Sequence, residues 1–263
     1  MTEMTPLDLA HAAMQDAPED DAARLRFYER LADAELFLML TKEAEGGNIS
    51  PELFELADGA FVLVFDRLER LSTFAGRPVP YVALSGRVVA QMLAGQGIGL
   101  GVNLEVAPSS ILIPGEAVTW LHQTLGHAPD EVEAEVEEIF PPVGLPEALL
   151  RALDAKLATA TGLATSAYLV GLRYSGGGQG HLLGFVDAKE AAQSALAKAA
   201  SEALTFSGIE AGAMDVGFFA ASDPTAAKLA RVGLRFDLPQ PEPEQIYQPE
   251  MPGSNPDKPP KLK

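Results

Sequence analysis

Side chains able to do chemistry are scarce in this chain, and their spacing is uninformative in a specific way. There is no cysteine, so thiolate nucleophiles, disulfides and cysteine-based metal sites are excluded. The four histidines are His11, His122, His127 and His181. His122 and His127 are five residues apart, which on a helix separates them by roughly 140°. They do not form the i, i+4 pair of a zinc helix, and from that spacing they read as surface or cap histidines. No metal and no other cofactor is expected. No GxSxG elbow is present, nor a Ser/His/Asp set in a familiar context, and no catalytic residue is assigned. The clustered carboxylates are Glu19-Asp20-Asp21, which suits a helix start, and the run from Glu131 to Glu138, which suits a solvated face or linker. Asp215, inside the apolar AMDVGFF segment, is the most unusual acid. It needs either a partner in the core or a place at a sheet edge, and the edge is the plainer expectation.

Glycine supplies the remaining candidates. Gly95, Gly97, Gly99 and Gly101 recur at every second residue, matching neither GxGxxG nor GxxxxGK[ST]. The run also leaves a helix and enters a strand, the reverse of the order that aims amides at phosphate. By the period of two, Gly97, Gly99, Gly101 and Asn103 share one strand face, and Ile98, Leu100, Val102 and Leu104 share the other. A strand face without side chains admits close approach. A helix of the same domain can fill it, or a ligand or partner can, and those four residues form the candidate binding surface. SGGGQGH (175–181) lacks the lysine of a nucleotide loop and reads as a flexible hairpin tip.

The elements that must position these residues follow from pattern. Thr5-Pro6-Leu7-Asp8 predicts a capped helix start, and Asp20 and Asp21 open a second helix burying Leu25, Tyr28 and Leu31. Strands are expected at Glu35–Leu40, Ala60–Phe65, Pro80–Leu84, Ile98–Leu104 and Ile111–Ile113. Ser50-Pro51 signals a short helix, and further helices run over Ser85–Ala94 and Glu116–Leu125. After a polar junction at 127–130, Glu131–Ile139 alternates like a strand with one wet face, and Pro146 opens a helix. Thr165–Tyr174 and His181–Val186 form a hairpin. Asp187, with Glu190 three residues on, is expected to cap an alanine-rich helix to about Phe206. Met214–Phe219 is a strand, Asp223-Pro224 starts a last helix, and Leu234–Leu238 is a final strand. The proline-rich stretch from 239 has too little apolar mass to order itself.

The fold class is therefore α/β in the mixed sense: two domains, 1–126 and 127–238, each a mixed sheet with flanking helices, then a disordered tail, 239–263. Hydrophobic content of 47 % is enough to build such cores. The net charge is −18, which opposes binding to nucleic acid or an anionic membrane. The N-terminus lacks a basic region followed by an apolar stretch, and the cytoplasm is the expected location.

Three segments carry a resemblance: LRFYERLADAELFLML (25–40), AFVLVFDRLERLSTFAG (60–76) and GLGVNLEVAPSSILIPGEAVTWL (99–121). Together they resemble the N-terminal domain of the SseB (enhanced serine sensitivity protein B) family, although Leu104 stands where members commonly have proline. GLPEALLRAL (144–153) and SAYLVGL (166–172) are similar, more loosely, to the family's C-terminal domain. The resemblance implies a role linked to serine tolerance and supplies no catalytic residues. The expectation is a non-catalytic binding or regulatory protein whose partner is another protein or a small metabolite. The alternative is an enzyme acting on a small metabolite at an interdomain site built from noncontiguous residues.

Overall fold

The computed structural model describes residues 3–46, 48–56, 59–126, 136–175, 177–208 and 214–241. The expected junction at 127–130, the first part of the acidic run and residues 242–263 lie outside them.

The first domain opens with helices α1 (Pro6–Asp16) and α2 (Asp21–Asp33). Thr5 caps α1 in the expected reciprocal box with Asp8, and the Asp20 side chain caps α2. Strand β1 (Glu35–Met39) follows, then β2 (Leu53–Leu56), β3 (Gly59–Phe65), α3 (Leu68–Ala75), β4 (Tyr81–Ser85), α4 (Gly86–Leu93), β5 (Gly99–Val102), β6 (Ile111–Ile113) and α5 (Gly115–Gly126). The sheet order is β4-β1-β3-β5-β6, with β2 also paired to β3. Only β3 and β5 run parallel; the other pairs are antiparallel.

Alternate residues feed opposite faces, as strand geometry requires. Leu36, Leu38, Val62, Val64, Leu100 and Val102 join a core with residues of α1, α2, α4 and α5. Leu63 and Phe65 join Leu71 of α3 beneath the other face. The helix expected after Ser50-Pro51 is instead the strand β2, whose pairing with β3 satisfies its backbone.

The second domain comprises β7 (Val136–Phe140), α6 (Glu147–Leu157), β8 (Ser166–Tyr174), β9 (Gln179–Val186), a single 3-10 turn (Glu190–Ala192), α7 (Gln193–Phe206), β10 (Met214–Phe219), α8 (Pro224–Val232) and β11 (Leu234–Asp237). The sheet order is β10-β9-β8-β11, and β7 extends the β11 edge of β8. Only β9 and β10 are parallel. Helices α6 and α7 cover one face through Leu149, Leu153, Leu196 and Ala203, packed on Leu169, Leu183 and Phe185. Helix α8 covers the other through Leu229, packed on Val170 and Leu182.

Two local expectations are corrected. Asp187 does not cap a helix; it sits at φ 50° and accepts a hydrogen bond from the amide of Ala221. The 3-10 turn starts after Lys189. The first residues of the expected tail are docked, because the Gly162 amide donates to the Pro239 carbonyl at 2.8 Å and Gln240 donates to the Ala164 carbonyl at 3.0 Å.

The domains also interlock. Phe206, the last residue of α7, is fully buried, and it lies in the core of the first domain with Leu7, Phe27 and Leu31. Helix α2 is the element it reaches; Gly208 lies against Ala22.

Candidate functional site

The glycine strand is built differently from a groove. Gly99 and Gly101 are buried. A β-carbon on Gly99 would lie 2.5 Å from the Ile113 carbonyl oxygen and 2.5 Å from the Phe61 ring. One on Gly101 would lie 2.5 Å from Leu63. The space the glycines leave is thus filled by neighbouring strands and side chains of the same domain. Asn103 is fully buried at φ 48°. Of the proposed surface, only Gly97 borders solvent, in a depression of about 340 Å³ with Gly95, Gly115, Thr119 and Trp120. The bare face is a packing device, and the candidate binding surface is corrected accordingly.

Asn103 instead belongs to a buried polar knot. Its side-chain carbonyl accepts from the Asp66 amide at 3.1 Å, and its side-chain amide donates to Ser109 Oγ at 2.8 Å. Ser109 Oγ donates in turn to Asp8 Oδ1 at 2.5 Å. Arg70 donates to both oxygens of Asp8, at 3.0 and 2.5 Å, and to Asp66 at 2.8 Å. Thr5 Oγ1 completes the ring with Asp66 at 2.6 Å. Burial pushes the Asp8 carboxyl up, but Arg70, Ser109 and the Thr5 amide more than reverse this and hold it well below the usual carboxylate range. The knot ties α1, the β3–α3 turn and the β5–β6 loop together, and its members donate and accept within the ring, as buried polar groups must.

The knot's outer edge, Thr5 and Asp66, forms part of the wall of the larger concavity, a cleft of about 780 Å³ between the domains. The first domain contributes the end of α2 (Arg30, Asp33), the start of β1 (Glu35), the turn into α3 (Arg67) and the start of α4 (Ser85, Arg87). The second contributes α6 (Ala155, Lys156), the turn after it (Thr159) and α7 (Ala195, Lys198, Ala199, Glu202).

Gly86 allows α4 to begin there: a β-carbon would fall 1.8 Å from the Leu31 carbonyl oxygen. Its amide donates to Ala34 O at 2.9 Å, which pins the start of α4 on the end of α2. That contact brings Arg87 to Asp33 at 2.5 Å.

An ion cluster spans the domain boundary at this point. Lys156, only 8 % exposed, lies 2.6 Å from Asp33, 3.0 Å from Glu202 and 3.7 Å from Glu29. Arg87 donates to both Glu202 oxygens at 3.1 and 3.2 Å. Burial would lower the Arg87 pKa, and Glu202 and Asp33 raise it instead. Burial raises the Glu29 carboxyl; Lys156 and Arg30 oppose this, and Asp33 and Glu202 add to it. Three carboxylates thus face two committed cations, and Glu29 is the one that burial disfavours in its charged form.

The other sequence-selected residues lie elsewhere. Asp215 is exposed on β10, an edge strand as expected, and accepts a hydrogen bond from Tyr174, whose hydroxyl burial and Asp215 push up to about 12. His11 is buried against Phe27 at a ring separation of 5.6 Å, and burial lowers its pKa. His181 places Nε2 3.1 Å from the Val143 carbonyl, His122 lies on α5, and His127 is outside the described residues. Among the described residues no group of three or more His, Asp or Glu is placed to hold a metal, and no helix is long and apolar enough to cross a membrane.

Residues 9–120 match the family model described as the SseB protein N-terminal domain. No curated protein and no solved structure matches the chain.

Proposed function

We propose, starting from the match of residues 9–120 to the SseB protein N-terminal domain, that the chain is a non-catalytic binding protein holding a small metabolite in the interdomain cleft. The cleft carries this reading. Its volume of about 780 Å³ falls within the roughly 300–1,000 Å³ typical of small-molecule sites, and such sites favour domain boundaries. Occupancy there would bear on both domains at once, which suits a regulatory protein. The role in serine tolerance that the family resemblance implies is then exercised through ligand occupancy. Asp33, Arg87, Lys156 and Glu202 in the cleft are paired with one another across the boundary, an arrangement that fixes geometry.

A thermal-shift screen of metabolites tests this, run on the full chain and on Ala195→Trp, which fills the cleft from the exposed side of α7. The expected result is a set of ligands that raise the melting temperature of the native protein, lose that effect in Ala195→Trp, and are recovered chemically unchanged after long incubation. Ligands insensitive to Ala195→Trp would overturn the site. Conversion of a bound ligand would overturn the non-catalytic assignment and favour an interdomain enzyme.

A further inference from the structure

The cleft gathers basic residues out of proportion to the rest of the protein. The chain has 19 basic residues against 37 acidic ones, yet five of the basic residues, Arg30, Arg67, Arg87, Lys156 and Lys198, line this one cavity. Its acids are Asp33, Glu35, Asp66 and Glu202. Most of those acids are already committed. Asp33 and Glu202 neutralise Lys156 and Arg87, and Asp66 is held by Arg70 and Thr5 inside the polar knot. Arg30, Arg67 and Lys198 make no ion pair among the described residues. All three are half-buried, and they come from three elements on both sides of the boundary: α2, the turn into α3, and α7.

Resting on the cleft reading, we infer that the ligand is a small oxyanion-bearing metabolite, clamped by Arg67 and Lys198 from opposite domains with Arg30 beside them. Uncommitted cations converging on a partly desolvated cavity favour an anion, because charge interactions strengthen as water is excluded. Guanidinium and ammonium groups serve carboxylate and phosphate alike, the former through a planar fork and the latter as a point charge. Bridging Arg67 to Lys198 adds an anionic link beside the Lys156 cluster, so the bound state holds the two domains together more firmly than the empty one.

The test is calorimetric titration of the full chain with pyrophosphate and with citrate, against potassium chloride at matched ionic strength. At least one oxyanion is expected to bind saturably in the cleft. Arg67→Gln combined with Lys198→Gln is expected to weaken it by about tenfold or more, equivalent to roughly 1.4 kcal/mol, without changing the melting temperature of the unliganded protein. Tighter pyrophosphate binding identifies a phosphorylated metabolite, and tighter citrate binding a polycarboxylate. Failure of both probes to bind, or binding unchanged in the double variant, overturns the inference. The two levels separate cleanly. A neutral or cationic ligand lost in Ala195→Trp but indifferent to Arg67→Gln and Lys198→Gln sinks the anion inference and leaves the cleft reading standing. Ligands unaffected by Ala195→Trp sink the cleft itself.

Discussion

Phe206 belongs by sequence to the second domain and by packing to the first, so truncating it should destabilise a domain 80 positions away. The ring is fully buried in the first core. Phenylalanine-to-alanine changes at such sites cost about 3–5 kcal/mol, from lost transfer energy and the cavity left behind. At roughly 2–4 °C per kcal/mol for a chain of this size, the melting temperature should fall by roughly 6–20 °C. The protein carries its own reporter. Trp120 is the single tryptophan, lies on α5 of the first domain, and packs edge-on against Tyr28 at 5.3 Å. Its fluorescence follows the first domain, whereas far-ultraviolet circular dichroism follows both. Urea unfolding of Phe206→Ala should shift the two signals together, and Phe206→Leu should shift them less. If the tryptophan transition stays where it is while the dichroism transition moves, the interlock carries no energy and Phe206 does not stabilise the first domain.

Gly99→Ala places a methyl group against the Ile113 carbonyl and the Phe61 ring, and overpacking of this kind should cost about 1–3 kcal/mol in chemical denaturation; a neutral result would reopen the strand as a binding face. Glu29 is held above its ordinary pKa, so its contribution to stability is full below the unfolded-state value and is lost as pH rises through the folded one. Glu29→Gln should therefore stabilise the protein at neutral pH and lose that advantage in acid, as read from urea midpoints across pH; destabilisation at neutral pH would show that Lys156 requires the carboxylate. Asp8 runs the other way, being depressed: its contribution is present above the ordinary aspartate range and vanishes as pH falls through the folded value, so Asp8→Asn should flatten the acid limb of the stability curve. Ending the chain after Leu238 removes the acceptor of the Gly162 amide and the donor to Ala164, at about 1 kcal/mol per hydrogen bond, whereas ending it after Pro241 should leave the melting temperature unchanged.

Much of the fold was legible because it is written locally. The capping box of Thr5 and Asp8, the unbroken apolar run of β3, Gly95 after α4, and Asp223-Pro224 before α8 each declare an element within a few residues. The SseB likeness likewise rests on contiguous segments of the first domain. The misses have a common cause in long-range contact. Residues 53–56 became a strand because β3 offered an unpaired edge, against the local helix-start signal at Ser50-Pro51. Asp187 found the Ala221 amide, 34 positions away, in place of a local cap. Asn103 lies just beyond the end of the glycine strand rather than on its face, and its partners at 66 and 109 are set by the β3–α3 turn and the β5–β6 loop. The cleft was the least legible feature. Its residues run from Thr5 to Glu202 with no repeating interval, so only the meeting of α2, α4, α6 and α7 assembles it, and the sole sequence hint was the alternative reading of an enzyme with an interdomain site built from noncontiguous residues.

The burial of Phe206 also sets an order of events during synthesis. The first domain's strands and its own five helices are complete once residue 126 has been made. Its core, however, is closed by a ring that the ribosome adds only at position 206. Until then the emerging N-terminal half carries an apolar vacancy beside α2, and a vacant apolar site on a nascent chain is what chaperones and premature contacts seek out. The domain translated first is thus closed only while the second is being made, and the end of α7 acts as the stopper that completes it.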